Sequence, residues 1–316
     1  MKKRKKHLWK WARRNEITCF RLYNRDIPEV PLVIDYYEGY LHIAEYERPA
    51  PHTDEEHDVW RSRMLASAAH ALTVPEERVF FKYREKQAGH SQYEKLAGDT
   101  VTLQVHEAGL QFRVNLSDYV DTGLFLDHRL TRGMVRDAAA GGHMLNLYSY
   151  TGSFSVYAAA GGAKSTVSVD LSQHYTTWAQ ENMRLNGFTG ADHRFVREDV
   201  QAFLAAAIRR GDRFDLIVID PPTFSNSKKM EGVLDIQRDH AELINSCARV
   251  LSSEGMILFS SNFKKLKFES DKIEAEKIAD ITQLTIPEDF TGKRPHRAWL
   301  ISRPRRERKG ATHARQ

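Results

Sequence analysis

The chain has 316 residues, of which 41% are hydrophobic and 28% charged, with a formal net charge of +5. This is the composition of an ordinary globular protein, long enough for one large domain or two smaller ones, and its longest apolar runs, such as 202–208, fall far short of the about 20 residues that span a bilayer. Cys19 and Cys247 stand alone, without a CxxC or a histidine cluster at ligand spacing, which argues against a disulfide scaffold and a zinc site and fits a reducing, cytoplasmic setting with no metal.

Residues 1–15 carry eight basic side chains and no acid, with no apolar stretch behind them that would make a secretory signal. Residues 3–14 read as a short basic helix carrying Trp9 and Trp11, indoles that can stack on bases or pack against the body. From Cys19 to about Asn115 the pattern is mostly strand-like. Leu32–Tyr37 and Tyr40–Tyr46 flank Glu38-Gly39 as a hairpin. Helical spacing follows over 54–72, with Asp54 as cap and Val59, Met64, Leu65, Ala68 and Leu72 as an apolar stripe. Val79–Arg84, Val101–His106 and Leu110–Val114 then read as strands. The expectation is a basic N-terminal helix or arm (1–18) followed by a compact α+β domain (19–115) on the substrate side.

After Asn115 strands and helices alternate. Met144–Tyr148, Thr166–Asp170, Arg194–Val196, Phe214–Asp220 and Met256–Ser260 are short apolar strands, separated by helical segments at about 153–160, 173–186, 199–210 and 235–251. Ile281–Ile286 and Ala298–Ser302 would complete the sheet. Such alternation implies an α/β domain (116–302) with a doubly wound, mostly parallel, Rossmann-like sheet. The tail 303–316 is basic again. The two ends carry +8 and +5 against −8 for the residues between them. Basic ends on an acidic body suit a polyanionic partner, nucleic acid or a membrane surface, or else are solvated termini.

In a doubly wound sheet ligands bind at the carboxyl ends of the strands, near the switch in strand order. The first such turn, Tyr148-Ser149-Tyr150-Thr151-Gly152, has one glycine, so the GxGxxG cradle for a pyrophosphate is absent and a ligand without phosphates is indicated. Asp170 ends the second strand, placed to accept hydrogen bonds from a ribose diol. Asp199, after the third, can reach an adenine amino group or cap the helix that follows. After the fourth comes Asp220-Pro221-Pro222-Thr223-Phe224, where two prolines remove two N–H donors and fix an extended turn. Its carboxylate and carbonyls are acceptors suited to a planar heterocycle with amino groups, and Phe224 can stack on the ring. Together these features suggest S-adenosylmethionine as cofactor.

Several longer motifs carry a family resemblance: Tyr119-Val120-Asp121-Thr122-Gly123-Leu124-Phe125-Leu126-Asp127-His128-Arg129, Leu145–Gly152, Ile219–Lys228, Asp235–His240, and in the first domain Tyr23–Pro28 and Gln92–Leu96. The chain resembles class I S-adenosylmethionine-dependent methyltransferases of the 23S rRNA type, in particular the guanine-N7 branch, whose members form the C-terminal half of fused proteins. The resemblance implies cofactor contacts from Thr122, Phe125, Asp127 and Arg129, from Tyr148, Thr151 and Gly152, and from Asp170, Leu171, Asp199, Val200 and Asp220. Arg129 would bind the methionine carboxylate. Asp220, Pro221, Pro222 and Phe224 would hold the guanine. The RNA backbone is assigned to Lys3, Arg4, Lys5, Lys6, Arg13, Arg14, Lys228, Arg305 and Arg306. The implied partner is 23S rRNA or a large-subunit assembly intermediate, not a membrane, with a protein partner or homodimer standing in for the preceding half.

Guanine N7 has a free lone pair, so in-line methyl transfer needs alignment and charge stabilisation rather than a general base. Pyrimidine-C5 methylation is the nearest rival and normally needs a cysteine to add to the ring. No cysteine lies between Pro221 and Asp239, and Cys247 falls mid-helix. A dinucleotide-dependent oxidoreductase conflicts with the lone Gly152, and a catalytically silent RNA-binding module with the intact strand-end acids.

Overall fold

The computed structural model describes residues 2–46, 53–83, 100–119, 121–225 and 233–302. The Gln92–Leu96 motif, Lys228, Arg305 and Arg306 lie outside the described residues.

The N-terminal helix α1 (Lys2–Arg14) is docked, not an arm: Leu8 and Ala12 are buried in the core of the first unit. Trp9 packs edge-on against Phe20 at 5.0 Å and beside Tyr36 at 4.8 Å, so of the two roles open to the indoles the structure takes packing. That core is built on a four-stranded sheet, β1 (Cys19–Asn24), β2 (Leu32–Tyr37), β3 (Tyr40–Glu45) and β4 (Val79–Tyr83), in that order. The β2–β3 turn has φ of 44° at Glu38 and 98° at Gly39, the paired positive angles of a tight hairpin turn. Helix α2 (Asp54–Leu72) is capped one residue earlier than expected. The Thr53 hydroxyl accepts from the Glu56 amide, and Glu56 returns the bond in a capping box. Of its expected stripe, Ala68 and Leu72 are buried, whereas Val59 is 51% exposed.

Strands β5 (Thr102–Glu107) and β6 (Leu110–Asn115) form a separate hairpin. Sequence alone groups it with the first unit, yet it lies across the second. Val105, Phe112 and Val114 share a core cluster with Val156, Tyr157 and Met183. Asn182 and Trp178 bond the backbone of Arg113.

The larger sheet comprises β7 (His143–Leu147), β8 (Ser165–Asp170), β9 (His193–Arg197), β10 (Phe214–Ile219), β13 (Leu251–Ser261), β14 (Lys277–Asp280) and β15 (Arg297–Ser302). Its order is β14-β15-β13-β10-β7-β8-β9. The five strands from β13 to β9 run parallel, β15 pairs antiparallel with β13, and the edge strand β14 pairs antiparallel with β15. The connecting helices are α3 (Arg129–Ala138), α4 (Ser153–Ala160), α5 (Gln173–Leu185), α6 (Val200–Arg210), α7 (Ile236–Val250) and the short α8 (Thr282–Thr285). Residues 224–225 (β11) and 234–235 (β12) pair as a small ribbon before α7. The mostly parallel, doubly wound sheet is as the alternation predicts.

Two expectations fail locally. The segment 281–286 is not a strand: β14 ends at Asp280, whose carboxylate takes the Thr282 amide and starts α8. Its apolar residues are split, Ile281 being buried and Leu284 65% exposed, so no face of a strand is formed. Helix α3 was not anticipated, because its buried face includes Arg129 and Arg132.

Candidate active site

Strand β7 pairs with β8 on one side and β10 on the other, so chain order reverses at its carboxyl end and opens a crevice there. The loop leaving β7 is conformationally unusual, with φ of 55° at Tyr148, 51° at Tyr150 and 74° at Gly152. Positive φ at two tyrosines is costly and is held only by surrounding bonds, a pattern that gathers at ligand sites. Ser149 donates its amide to Val169, Tyr150 to the Asp170 carboxylate, and Gly152 to Ser149. Gly152 also admits close packing: a Cβ there would sit 2.7 Å from that of Ala179 on α5. In the same way Gly123, at φ 98°, leaves room for the Trp178 ring.

Asp170 sits at the tip of β8, its two oxygens taking the amides of Tyr150 and Ser172 at 2.9 Å each. Burial raises its carboxyl to about 6, against the opposing pull of those two bonds. Each oxygen keeps a lone pair for a further donor. Ser149 Oγ, in the adjoining loop, is buried without a hydrogen-bond partner. An unsatisfied hydroxyl beside a carboxylate held by backbone amides fits a polyhydroxylated ligand. The residues present therefore accommodate the nucleoside of S-adenosylmethionine.

Asp199 caps α6, its Oδ1 accepting from the amides of Gln201 and Ala202. The cap reading is thus realised and leaves Oδ2 outside it. Val200 is core, 3% exposed, while Leu171 is half-buried. Thr151 is fully buried and donates to the Gly123 carbonyl, and Thr122 is buried against the Tyr37 hydroxyl at 2.9 Å. These two threonines knit the loops together. Phe125 is 41% exposed and lies 5.1 Å from the Tyr150 ring. Tyr148 is half-buried against the core of the larger sheet.

Arg129 does not serve the crevice. Its guanidinium is buried between the Asp289 carboxylate at 3.0 Å, the Cys19 carbonyl at 2.7 Å and Glu107 at 3.2 Å. Both terminal nitrogens are hydrogen-bonded at the junction of the two units and Nε lies in ion-pair range of Glu107, which sets the structure against the assignment to a methionine carboxylate.

Asp220 follows β10, and its Oδ1 accepts from Ser260 on β13 at 2.6 Å. Its Oδ2 faces His128 Nε2 at 3.6 Å. His128 is buried, stacked on His296 at 4.2 Å between centroids, and its Nδ1 has no partner. Burial lowers its pKa, with Asp220 offsetting part of the shift. Asp127 bonds His296 Nδ1 at 2.9 Å, and His296 Nε2 meets Thr285 at 3.0 Å. Burial would raise the Asp127 carboxyl, but His128 and His296 outweigh it and hold it well below the usual range. The ligand atoms of Asp127, His128 and His296 lie within 4.8 Å of one another. The two rings are nearly parallel, at 15°, and both nitrogens of His296 are engaged, so the donors do not converge on one point. The arrangement is a charge network behind Asp220. Pro221 is buried, Pro222 is half-buried, and Phe224 stands 57% exposed at the rim. Thr223 Oγ1 bonds Asn262 at 2.7 Å and ties the turn to the loop after β13.

His128, His296, Ser260, Asn262 and Ser149 were missed as individual residues, although His128 and Ser149 fall inside the motifs quoted above. Strand-end position could have flagged Ser260 and Asn262. Nothing in the sequence pairs His296 with Asp127.

The model of the S-adenosylmethionine-dependent methyltransferase family matches residues 20–294. The ribosomal RNA large subunit methyltransferase K of Neisseria meningitidis serogroup B is 47% identical over 298 residues, 94% of this chain and 84% of that protein. The ribosomal RNA large subunit methyltransferase K/L of Methylococcus capsulatus is 41% identical over 98% of this chain, which spans only 42% of its length. Among solved structures, the methyltransferase SMU.776, crystallised in complex with SAH, superposes with a TM-score of 0.76 at 26% identity, over 94% of this chain and 78% of that one. With a family match running through both units and these strand-end acids at the switch point, the chain belongs to the S-adenosylmethionine-dependent methyltransferases.

Proposed function

We propose that this protein transfers a methyl group from S-adenosylmethionine to N7 of a guanine in 23S rRNA during large-subunit maturation. The observation that carries the reading is the Asp220–Phe224 turn, with its carboxylate fixed by Ser260 and backed by His128, and with an exposed aromatic ring beside it. The names of the K and K/L relatives support rRNA as substrate.

When bound, S-adenosylmethionine supplies an electrophilic methyl on a sulfonium. Asp170 would hold the ribose diol, with Ser149 Oγ as a further donor or acceptor, and Asp199 Oδ2 would receive the adenine amino group. Leu171 and Phe125 would flank the nucleoside. Asp220 would accept from the guanine amino edge while Phe224 stacks on the base and fixes N7 in line with the methyl. As the purine becomes cationic, a carboxylate already oriented by Ser260 stabilises it without reorganisation. A charge-assisted hydrogen bond of this type is worth about 1.5–3 kcal/mol.

The C5 rival lacks its nucleophile. Cys19 and Cys247, the two cysteines of the chain, are 1% and 0% exposed, and burial pushes both thiols far up. The test is incubation of the protein with unmodified 23S rRNA and labelled cofactor, followed by nucleoside mass spectrometry. N7-methylguanosine is expected, and 5-methylcytidine would overturn the assignment. Asp220→Ala is expected to slow single-turnover methylation about tenfold to a hundredfold, as the loss of one such bond implies, with cofactor affinity less affected. Full rate in that variant would remove Asp220 from the mechanism.

A further inference from the structure

The loop that leaves β13 at the carboxyl edge of the sheet, Asn262-Phe263-Lys264-Lys265-Leu266-Lys267, is rigidly built and carries unneutralised charge. Leu266 is buried in the main core and its amide closes a turn onto Phe263. Gln237 of α7 bonds both the amide and the carbonyl of Lys267, at 2.9 and 3.1 Å. Arg297 of β15 donates to the Leu266 carbonyl at 3.0 Å. The backbone is therefore pinned from two sides while Lys264, Lys265 and Lys267 are all exposed.

Neighbouring cations are used differently. Arg238 is paired with Asp239, Lys272 with Glu269, and Arg297 with Asp280. Among the described residues no acid lies within ion-pair distance of Lys264, Lys265 or Lys267. Three ammonium groups within four residues repel one another, and the fold gains no internal bond from them. The loop is also continuous with the reacting site: Ser260, two residues before Asn262, holds Asp220, and Asn262 itself holds Thr223. Lys264 is two residues further on, within about 7 Å of chain.

We propose that this lysine loop is a phosphate clamp for the RNA strand flanking the target base, set so that the base reaches Asp220 and Phe224. The assignment rests on the rRNA reading above and names where the substrate backbone is held. A preordered cation cluster binds a polyanion with little loss of loop entropy, and its contribution is read as salt dependence. It differs from the terminal basic residues in lying beside the chemistry. Arg4 and Lys5, expected to grip RNA, are turned inward: Arg4 donates to the Asp289 carbonyl and Lys5 to Ala71 and Thr73. Lys3, Lys6, Arg13 and Arg14 remain exposed.

The test measures binding of the whole protein to unmodified 23S rRNA across a salt series, with the K264Q/K265Q/K267Q variant and its arginine counterpart K264R/K265R/K267R alongside. Losing three phosphate contacts to single-stranded RNA should flatten the log Kd against log salt slope by about 2, with at least a tenfold weaker Kd near physiological salt. The arginine variant is expected to keep the wild-type slope, and all three proteins the same affinity for S-adenosylmethionine. A glutamine variant with wild-type slope and Kd overturns the clamp while leaving the rRNA reading intact. A wild-type protein that neither binds nor methylates rRNA overturns both.

Discussion

At Asp170 burial and binding pull in opposite directions. Burial raises the carboxyl to about 6, so the free protein favours the protonated form relative to an unfolded chain. That preference stabilises the fold at low pH and is lost as pH rises through 6. A ribose diol requires the opposite state, an ionised acceptor. Cofactor affinity should therefore be flat above pH 7 and fall about tenfold by pH 5, one unit below the pKa. Isothermal titration of S-adenosylmethionine at constant ionic strength checks this, and an unchanged Kd at pH 5 would remove Asp170 from the site. Asp170→Asn should lose cofactor affinity and gain no stability at pH 7.5, because its NH2 group replaces one of the two oxygens that accept the Tyr150 and Ser172 amides. Strand-end position made Asp170 and Asp220 legible in the sequence. The state of Asp170 was not, since it depends on how deeply β8 and the β7 loop enclose it.

The β7–α4 loop shows what an element needs beyond its residue types. A single glycine leads one to expect a phosphate-free turn, but the bends at Tyr148 and Tyr150 are accompanied by bonds to Val169 and Asp170 on the next strand, which no glycine count reveals. Gly152 then lets α5 approach. Gly152→Ala would require positive φ of a residue with a Cβ and would press on Ala179, together costing about 1–3 kcal/mol. We expect lower thermal stability with weaker cofactor binding, since the displaced loop carries Ser149 and the Tyr150 amide. A variant with wild-type melting and affinity would show that the loop relaxes freely. The same lesson applies to the β5–β6 hairpin. Its alternation reveals two strands, but alternation does not say which sheet or helix receives the apolar face.

Across the whole molecule the two units are joined by buried charge. Glu107 takes Arg132 at 2.6 Å and the Tyr157 hydroxyl at 2.8 Å, while Asp289 takes Arg129 at 3.0 Å and the Arg21 amide at 2.9 Å. Residues from α1, β1, the β5–β6 hairpin, α3, α4 and the turn before β15 meet there. Removing one partner leaves a buried uncompensated charge, at a cost of about 3–5 kcal/mol. Arg129→Met is expected to lower stability by that order in denaturant melts, while any folded fraction binds S-adenosylmethionine with wild-type Kd. The reverse result, normal stability with lost cofactor affinity, would return Arg129 to the methionine carboxylate. Among the described residues no helix is long and apolar enough to cross a membrane.

The alternating α/β class and the acids at the strand ends could be read along the chain, because burial periodicity and chain direction are local properties. The sequence also shows that no cysteine lies between Pro221 and Asp239. Which charges pair with one another was settled by the fold in three dimensions. Arg129 and its partner Asp289 are 160 positions apart, and His296 reaches Asp127 across 169. Such pairings depend on where distant segments are brought together, and no local pattern records them. The same holds for the lysines of the β13 loop, whose exposure beside Asp220 follows from the packing of β10 against β13.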